Sequence, residues 1–528
     1  MGNRPPDVVL IVLDTWRADR MSCYGHPEPT TPHLDRFAAE SALFERAISP
    51  AQWTIPAHAS LFTGEYPTTH LTTQIYDRHT PAWPTLAEHL RDGGYETLGF
   101  CNNPLLGVVE NDLDRGFEHF YNYGGVLPTR PRLAERRPRR SGRWLDLIAR
   151  QLNRLNGPLQ EWLTHNDALL GLMMHPWITP IWERHINFKG NVHRSVGDMV
   201  GVLRNRKRSG AERPCFAFLN LMETHLPYEP PTRFSREFAP TYHEDHEARD
   251  FLHDYNHRTF DWIAPITEPF SDAQHRVLNE MYNAEIAYED HELRLLLDYL
   301  DEPEARDNTL VVITADHGEG LDHHGYVGHS LVVYEDLIRV PLMVRYPSRY
   351  PTGRRIETPV STRRIFHTIL DAVDLSEKTM GDDEAFHASL GDLSLARSLD
   401  GGDADQDTVF AEAYPPNTLV NLMQQRDAEA VERFRCRETR RTLYNSRHKV
   451  IAVSSEPEEL FDVRNDPGEL HNLAAEHPEH VETLHSQLQM SFENAKARRK
   501  PNQVSQDSVD LNKDSQLQKR LRALGYLE

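Results

Sequence analysis

The chain has 528 residues, more than one simple core usually holds, so a large domain with a smaller companion is expected. Its formal net charge of −22 repels phosphate backbones and argues against nucleic acid as a partner. Four scattered cysteines, Cys23, Cys101, Cys215 and Cys436, form no CxxC pair and exclude a disulfide scaffold or a cysteine zinc site.

Read in chain order, the first element is the apolar run Val8 to Leu13, too short for a membrane span and preceded by no cleavage-like segment. A buried strand ending at Asp14 and a cytoplasmic location are expected. The stretch SPAQWTIPAHASLFTGEYPTTH comes next, with Pro56 suited to the first turn of a helix and Gly64 to its end. The N-terminus of that helix would turn free N–H groups toward an anion beside Thr54, which is therefore either a nucleophile or only a polar cap.

From about residue 129 to 210 the pattern changes to a basic run, RPRLAERRPRR, and an amphipathic stretch with Trp144, Ile148, Leu152 and Leu155 on one face. One reading is a solvated insertion that packs its stripe on the main domain. A second reading is a peripheral membrane contact through 129–182, since local positive charge and Trp suit anionic headgroups. Beyond it, Cys215 to Leu221 runs into METH, and Leu310 to Ile313 into TADHGE; between them, Ile286, Leu293, Leu296 and Leu297 recur at helical spacing over Tyr282 to Leu300. Alternating strands and helices predict an α/β fold with a sheet covered on both faces. The segment from His448 reads as two short strands, a turn at NDPGE and a helix, giving a catalytic domain over 1–400, an α+β subdomain over 401–495, and a linker and tail over 496–528.

In open α/β sheets ligands bind beyond the carboxyl ends of strands, and Asp14, Thr54, Asp316 and His317 are expected at or just beyond strand ends. Two carboxylates, an imidazole and a hydroxyl suit one divalent metal ion, with Zn²⁺ or Mn²⁺ favoured over Ca²⁺ by the mixed oxygen and nitrogen donors. Each residue alone has an ordinary reading as a cap or turn residue; their joint occurrence carries the expectation.

The pieces DVVLIVLDTWRADRMSCYG, TTPHLDRFAAESALFERAIS, WTIPAHASLFTGEYPT, METHLPYEPP, ITADHGEGLDHHGYVGHS, YEDLIRVPLMV and ELFDVRNDPGELHNL resemble, in that order, the sulfatase family of the alkaline phosphatase superfamily. The resemblance implies a large mixed sheet between helices, a smaller C-terminal antiparallel sheet, and hydrolysis of sulfate or phosphate esters at a bound metal. The substrate would be a small-molecule, glycan or lipid ester.

The departures are specific. Where typical sulfatases carry Cys or Ser, then x-Pro-x-Arg, with the first residue oxidised to formylglycine, this chain has Thr54-Ile55-Pro56-Ala57-His58, and Thr cannot give that aldehyde. Thr-x-Pro-x-His is similar to the nucleophile segment of nucleotide pyrophosphatase/phosphodiesterases, so no formylglycine is expected. That resemblance assigns Thr54 as nucleophile and Asp14, Thr54, Asp316 and His317 as metal ligands. Thr15 replaces the second of the family's paired aspartates. Asn102, within GFCNNPLLG where the sulfate-binding GKWH element is absent, and His329, at the place of a lysine, become the substrate-binding residues. His225 matches the histidine that touches the substrate ester and would act as general acid to the leaving oxygen or as an oxyanion donor, and His58, the third catalytic candidate, stands at the place of the family's arginine and would either hold Thr54 or merely pack in the helix. A second metal would have to draw on Glu223, His225, His324 and His329, so one metal is the simpler expectation. A transferase that resolves the Thr54 intermediate with an alcohol, and an inactive metal- or anion-binding homologue, are the rival readings.

Overall fold

A computed structural model describes residues 5–75, 77–124, 128–131, 189–258, 262, 264–265, 269–375, 390–399 and 408–500. The basic and amphipathic stretch of the expected insertion, apart from its first residues, and the tail beyond 500 lie outside the described residues. Eight strands form one large sheet: β1 (Asp7–Leu13), β2 (Ala42–Phe44), β3 (Glu96–Cys101), β4 (His119–Asn122), β5 (Cys215–Leu221), β6 (Thr309–Ala315), β7 (Leu342–Arg345) and β8 (Arg354–Ile356). They lie in the order β8-β2-β7-β6-β1-β5-β3-β4. All neighbours are parallel except β7, which runs antiparallel to both β6 and β2. This is the expected large mixed sheet.

Val8 to Leu13 are buried without interruption, as a central parallel strand covered on both faces requires, and each large side chain there contributes roughly 1.5–3 kcal/mol. The register sets the working edge. Leu13 pairs with both Leu221 and Ala315, and Cys101 pairs with Asn220, so β1, β5, β6 and β3 finish side by side. The residues just past these strand ends, Asp14, Met222 to His225, Asp316 and Asn102, therefore reach one edge of the sheet.

Five helices position this edge: α1 (Thr54–Thr63), α2 (Val192–Arg208), α3 (Asp272–Leu300), α4 (Arg364–Val373) and α5 (Pro478–Ala497). All ten residues of α1 are buried. It ends at Gly64 in the left-handed region (φ 73°), where a Cβ would also stand 2.4 Å from the His367 ring of α4, so glycine meets both demands. The apolar periodicity predicted α3 only from Tyr282; a capping box between Ser271 and Gln274 starts it ten residues earlier. Within the expected insertion, α2 belongs to the main body: Val192, Val196, Met199 and Leu203 are buried, and the helix packs on α3 and β5. Arg130, the first residue of the basic run, forms a two-pronged pair with Asp198 of α2 at 2.6 and 2.7 Å rather than standing free for lipid.

The C-terminal part is a four-stranded antiparallel sheet, β9 (Val409–Ala413), β10 (Arg440–Tyr444), β11 (His448–Val453) and β12 (Glu456–Asp462), with α5 against it. It reaches the segment that leads into α1: Ala51 bridges to Glu412, and the Glu412 amide donates to Pro50 O at 3.0 Å. Among the described residues no helix is long and apolar enough to cross a membrane.

Candidate active site

The site begins with a strained turn at the end of β1. Thr15 has φ 59°, rare for a β-branched residue and costing on the order of 1–3 kcal/mol. The turn directs the Thr15 N–H to Asp316 Oδ1 at 3.3 Å, while the Thr15 hydroxyl donates to the Asp14 carbonyl at 2.7 Å. Thr15 thus serves the backbone, and its hydroxyl is spent where the family's second aspartate would stand. The Thr224 hydroxyl, beyond β5, donates to the same carbonyl at 2.5 Å, tying two strand ends together.

Asp14, Asp316 and His317 come together, fully buried, with one donor atom from each within 4.8 Å of the others. Their hydrogen bonds are divided in a telling way. Asp14 Oδ2 accepts from Asn103 Nδ2 at 2.6 Å, and Asp316 Oδ1 accepts the amides of His317 (2.9 Å) and Thr15. The second oxygens, Asp14 Oδ1 and Asp316 Oδ2, have no hydrogen-bond donor among the described residues. A carbonyl can only accept, so the 2.9 Å contact of His317 Nδ1 with Gly318 O fixes the proton on Nδ1 and leaves Nε2 with its lone pair. Nε2 lies 3.4 Å from Asp316 Oδ2 and 4.0 Å from Asp14 Oδ1.

Burial raises the Asp14 carboxyl to about 6 against the help of Asn103, and burial plus the charge of Asp14 raises Asp316 well above the carboxylate range. Burial and the charge of His329 hold His317 well below its usual value. Two orphaned carboxylate oxygens beside an unprotonated imidazole nitrogen fit a divalent cation and little else.

Thr54 is the first residue of α1, and Trp53 holds the cap position without a side-chain bond, so Thr54 is not the cap. Its Oγ1 stands 3.4 Å from His317 Nε2. His58, one turn on, places Nδ1 2.9 Å from the Thr54 carbonyl and 3.4 Å from Asp316 Oδ2. It touches the backbone of Thr54 rather than the hydroxyl, and its ring sits edge-on to Phe62 and Phe218, where burial lowers it to about 4 and keeps it neutral. Two residues earlier, Gln52 Nε2 donates to Ser330 O (2.9 Å) and Tyr414 O (3.0 Å), strapping the approach to Thr54 onto the His329 loop and the C-terminal part.

His329 packs on His317 with ring centroids 4.5 Å apart, and His225 meets His329 edge-on at 5.0 Å. His329 Nδ1 donates to Glu319 Oε1 at 3.0 Å; burial works against its charge, but the Glu319 carboxylate outweighs it and the net direction is upward. The charged form of His329 is therefore favoured where the resemblance puts a lysine. His225 is the opposite: burial and the charge of His329 push it down to about 3, and its Nδ1 donates to Leu226 O at 2.9 Å, leaving Nε2 with the lone pair. Asn102 is buried with neither side-chain amide atom partnered among the described residues, close beside Gly190.

The other candidates for a second metal site scatter. Glu223 turns to α2, where Oε1 accepts the Val192 amide at 3.2 Å, and His324 stacks on Tyr334 at 3.9 Å. Sequence reasoning singled out Asn102 where its neighbour Asn103 binds Asp14, and passed over Glu319 as a partner of His329. Both signals were present, in CNNP at a strand end and in DHGE. Glu319→Gln, which keeps the shape and removes the charge, is expected to raise KM for anionic esters by about 10- to 100-fold, the worth of one charge-assisted contact. An unchanged KM would show that Glu319 does not set the charge of His329.

A family model described as Sulfatase matches residues 6–375. Among curated proteins, the chain is 23% identical over 488 residues to an uncharacterized sulfatase, YidJ, of Escherichia coli, covering 89% of this chain and 83% of that protein. It is 22% identical to the N-acetylgalactosamine-6-O-sulfatase of Bacteroides thetaiotaomicron, covering 92% and 93%. Among solved structures, the phosphonate monoester hydrolase of Agrobacterium radiobacter superposes with a TM-score of 0.63 at 22% identity, covering 93% of this chain and 96% of that one.

Proposed function

The chain belongs to the sulfatase family of the alkaline phosphatase superfamily and is an ester hydrolase of that family, and on this premise we propose that it cleaves sulfate, phosphate or phosphonate esters of small molecules or glycans with Thr54 as nucleophile. The observation that carries the reading is the position of Thr54 Oγ1, 3.4 Å from His317 Nε2, within the cluster of Asp14, Asp316 and His317. Asp14, Asp316, His317 and Thr54 would hold one divalent metal, with Zn²⁺ or Mn²⁺ favoured by the donor set. When bound, that ion lowers the pKa of a coordinated hydroxyl and offsets charge on the transferred group.

In the first step Thr54 Oγ1, its proton given up to solvent, forms a bond to sulfur or phosphorus as the bond to the ester oxygen breaks. His329, its charged form favoured by Glu319, pairs with the equatorial oxygens, and Asn102 donates its unpartnered amide. His225 is neutral in the free site; an anionic substrate supplies the countercharge that lets Nε2 take a proton and pass it to the leaving oxygen. In the second step water attacks the sulfo- or phosphothreonine, and the now unprotonated Nε2 of His225 accepts its proton. The threonine is released unchanged. An inactive metal-binding homologue is not favoured, since nothing in ion storage needs the hydroxyl held among the ligand atoms.

Aryl sulfate, phosphate monoester, phosphodiester and phosphonate monoester substrates, each with Mn²⁺, Zn²⁺, Mg²⁺ and Ca²⁺, test the reading. Metal-dependent turnover of at least one class is expected; no turnover in any combination contradicts it. Within that panel, His225→Ala is expected to lower kcat/KM about 10²–10⁴-fold for alkyl esters and under about tenfold for activated aryl esters, with metal content intact. Equal losses on both would assign His225 to binding instead.

A further inference from the structure

The segment 223–229 carries His225 between two ends that are both tied to buried ionisable side chains outside the site. Lys189, 7% exposed, donates from Nζ to the Glu223 carbonyl at 2.7 Å and to Glu285 Oε1 at 3.0 Å. Glu285 Oε1 also accepts the Glu229 amide at 2.7 Å. One turn along α3, Glu289 Oε2 accepts the Glu223 amide at 3.1 Å. The entry and the exit of the segment are thus fastened to the same face of α3, with Lys189 bridging that face to the segment.

The arrangement is costly. Glu285 and Glu289 are both buried, each with one carboxyl oxygen lacking a hydrogen-bond partner among the described residues; burial raises the Glu285 carboxyl to about 7 and Glu289 well above its usual range, and taking such polar groups out of water is unfavourable whichever form they hold. An apolar contact would hold a loop against a helix at less expense. What charged partners add is direction: amide and carbonyl groups are fixed at defined distances, and so is the backbone that carries the His225 ring. The chain just after Lys189 makes a second close approach, since Gly190 (φ 69°) leaves no room for a Cβ, which would lie 2.9 Å from Asn102 Cγ. Lys189 and Gly190 therefore touch the supports of two residues assigned to the substrate.

We propose that Lys189 and Glu285, with Glu289, form a clamp that positions His225 against the leaving oxygen of the substrate ester. They are positioning residues that touch no substrate, and the inference rests on the role of His225 given above. Its physical content is a coupling: the clamp matters to the rate only while an imidazole stands at 225.

The test uses the full chain loaded with metal and a series of esters spanning leaving-group pKa, in the parent, Lys189→Met, Lys189→Arg, Glu285→Gln, His225→Ala and the Lys189→Met/His225→Ala double variant. Lys189→Met is expected to lower kcat/KM about 10- to 100-fold on poor leaving groups and under about threefold on activated ones, with metal content unchanged and a partial recovery in Lys189→Arg. In the His225→Ala background the same substitution is expected to cost less than about threefold. Losses that multiply in the double variant, or a Lys189→Met effect equal across leaving groups, overturn the clamp. Should Lys189→Met not fold, Glu285→Gln, which keeps the acceptor oxygen and removes the charge, is judged by the same two criteria. The two readings fail separately: a parental leaving-group slope in His225→Ala sinks the proton role of His225, whereas the clamp stands or falls by the coupling in the double variant.

Discussion

Thr54→Ala is expected to lose turnover by about 10⁴-fold or more while remaining folded, because it removes the one oxygen that would bond to the transferred group. Stability should change little. Trp53 holds the cap position, so alanine at the first helical position removes no capping bond, and loss of a buried methyl and hydroxyl there is expected to shift unfolding by about 1 kcal/mol. If a metal-bound water were the nucleophile instead, Thr54 would be only one ligand among four, and Thr54→Ala under saturating metal would keep near-parental kcat. Thr54→Ser retains the hydroxyl and is expected to keep measurable turnover in either case, so alanine is the decisive change.

The second large effect is expected at Asp316. Asp316→Asn keeps the Oδ1 that accepts the His317 and Thr15 amides but removes the negative charge beside Asp14. Metal should leave the site and activity with it, by about 10³-fold or more. The stability of the metal-free protein should move the other way. A buried carboxyl whose folded pKa is raised disfavours folding at every pH above its unfolded value, since folding must then either protonate it or bury its charge; both Asp316 and Asp14 are raised. At neutral pH the metal-free Asp316→Asn protein is therefore expected to melt about 1 °C above the metal-free parent for each kcal/mol relieved, while the metal-loaded parent melts highest of all. A metal-free variant less stable than the metal-free parent would mean that the two carboxylates do not repel across an empty site. Full metal occupancy in the variant would remove Asp316 from the ligand set.

The sheet and its working edge were legible because a parallel strand covered on both faces is apolar at every position, and Asp14, Met222 and Asp316 mark where such runs stop. The first half of α3 was not. Over Asp272 to Met281 only Val277, Leu278 and Met281 are buried, too few turns to establish an apolar period, and the capping box alone marks the start. Asn103 was hidden by its neighbour: at a strand end two consecutive asparagines face different ways, and only the turn into the helix at Pro104 decides that Asn103 bonds Asp14. The left-handed turn at Thr15 leaves no mark in a sequence where glycine would have signalled it. Glu223 read as a ligand candidate because it is acidic and near His225, yet the chain reverses between them and turns its carboxylate to the start of α2.

The claim that Thr54 becomes covalently bound is tested most directly by acid quench of the metal-loaded enzyme during turnover, with mass analysis of the peptide containing residue 54. The predicted result is a sulfo or phospho adduct on Thr54, appearing within the first turnover, absent in Thr54→Ala, and accumulating in His225→Ala, where hydrolysis of the intermediate lacks its base. An unmodified Thr54 peptide throughout steady turnover, in the parent and in His225→Ala alike, would contradict it and transfer the attack to water.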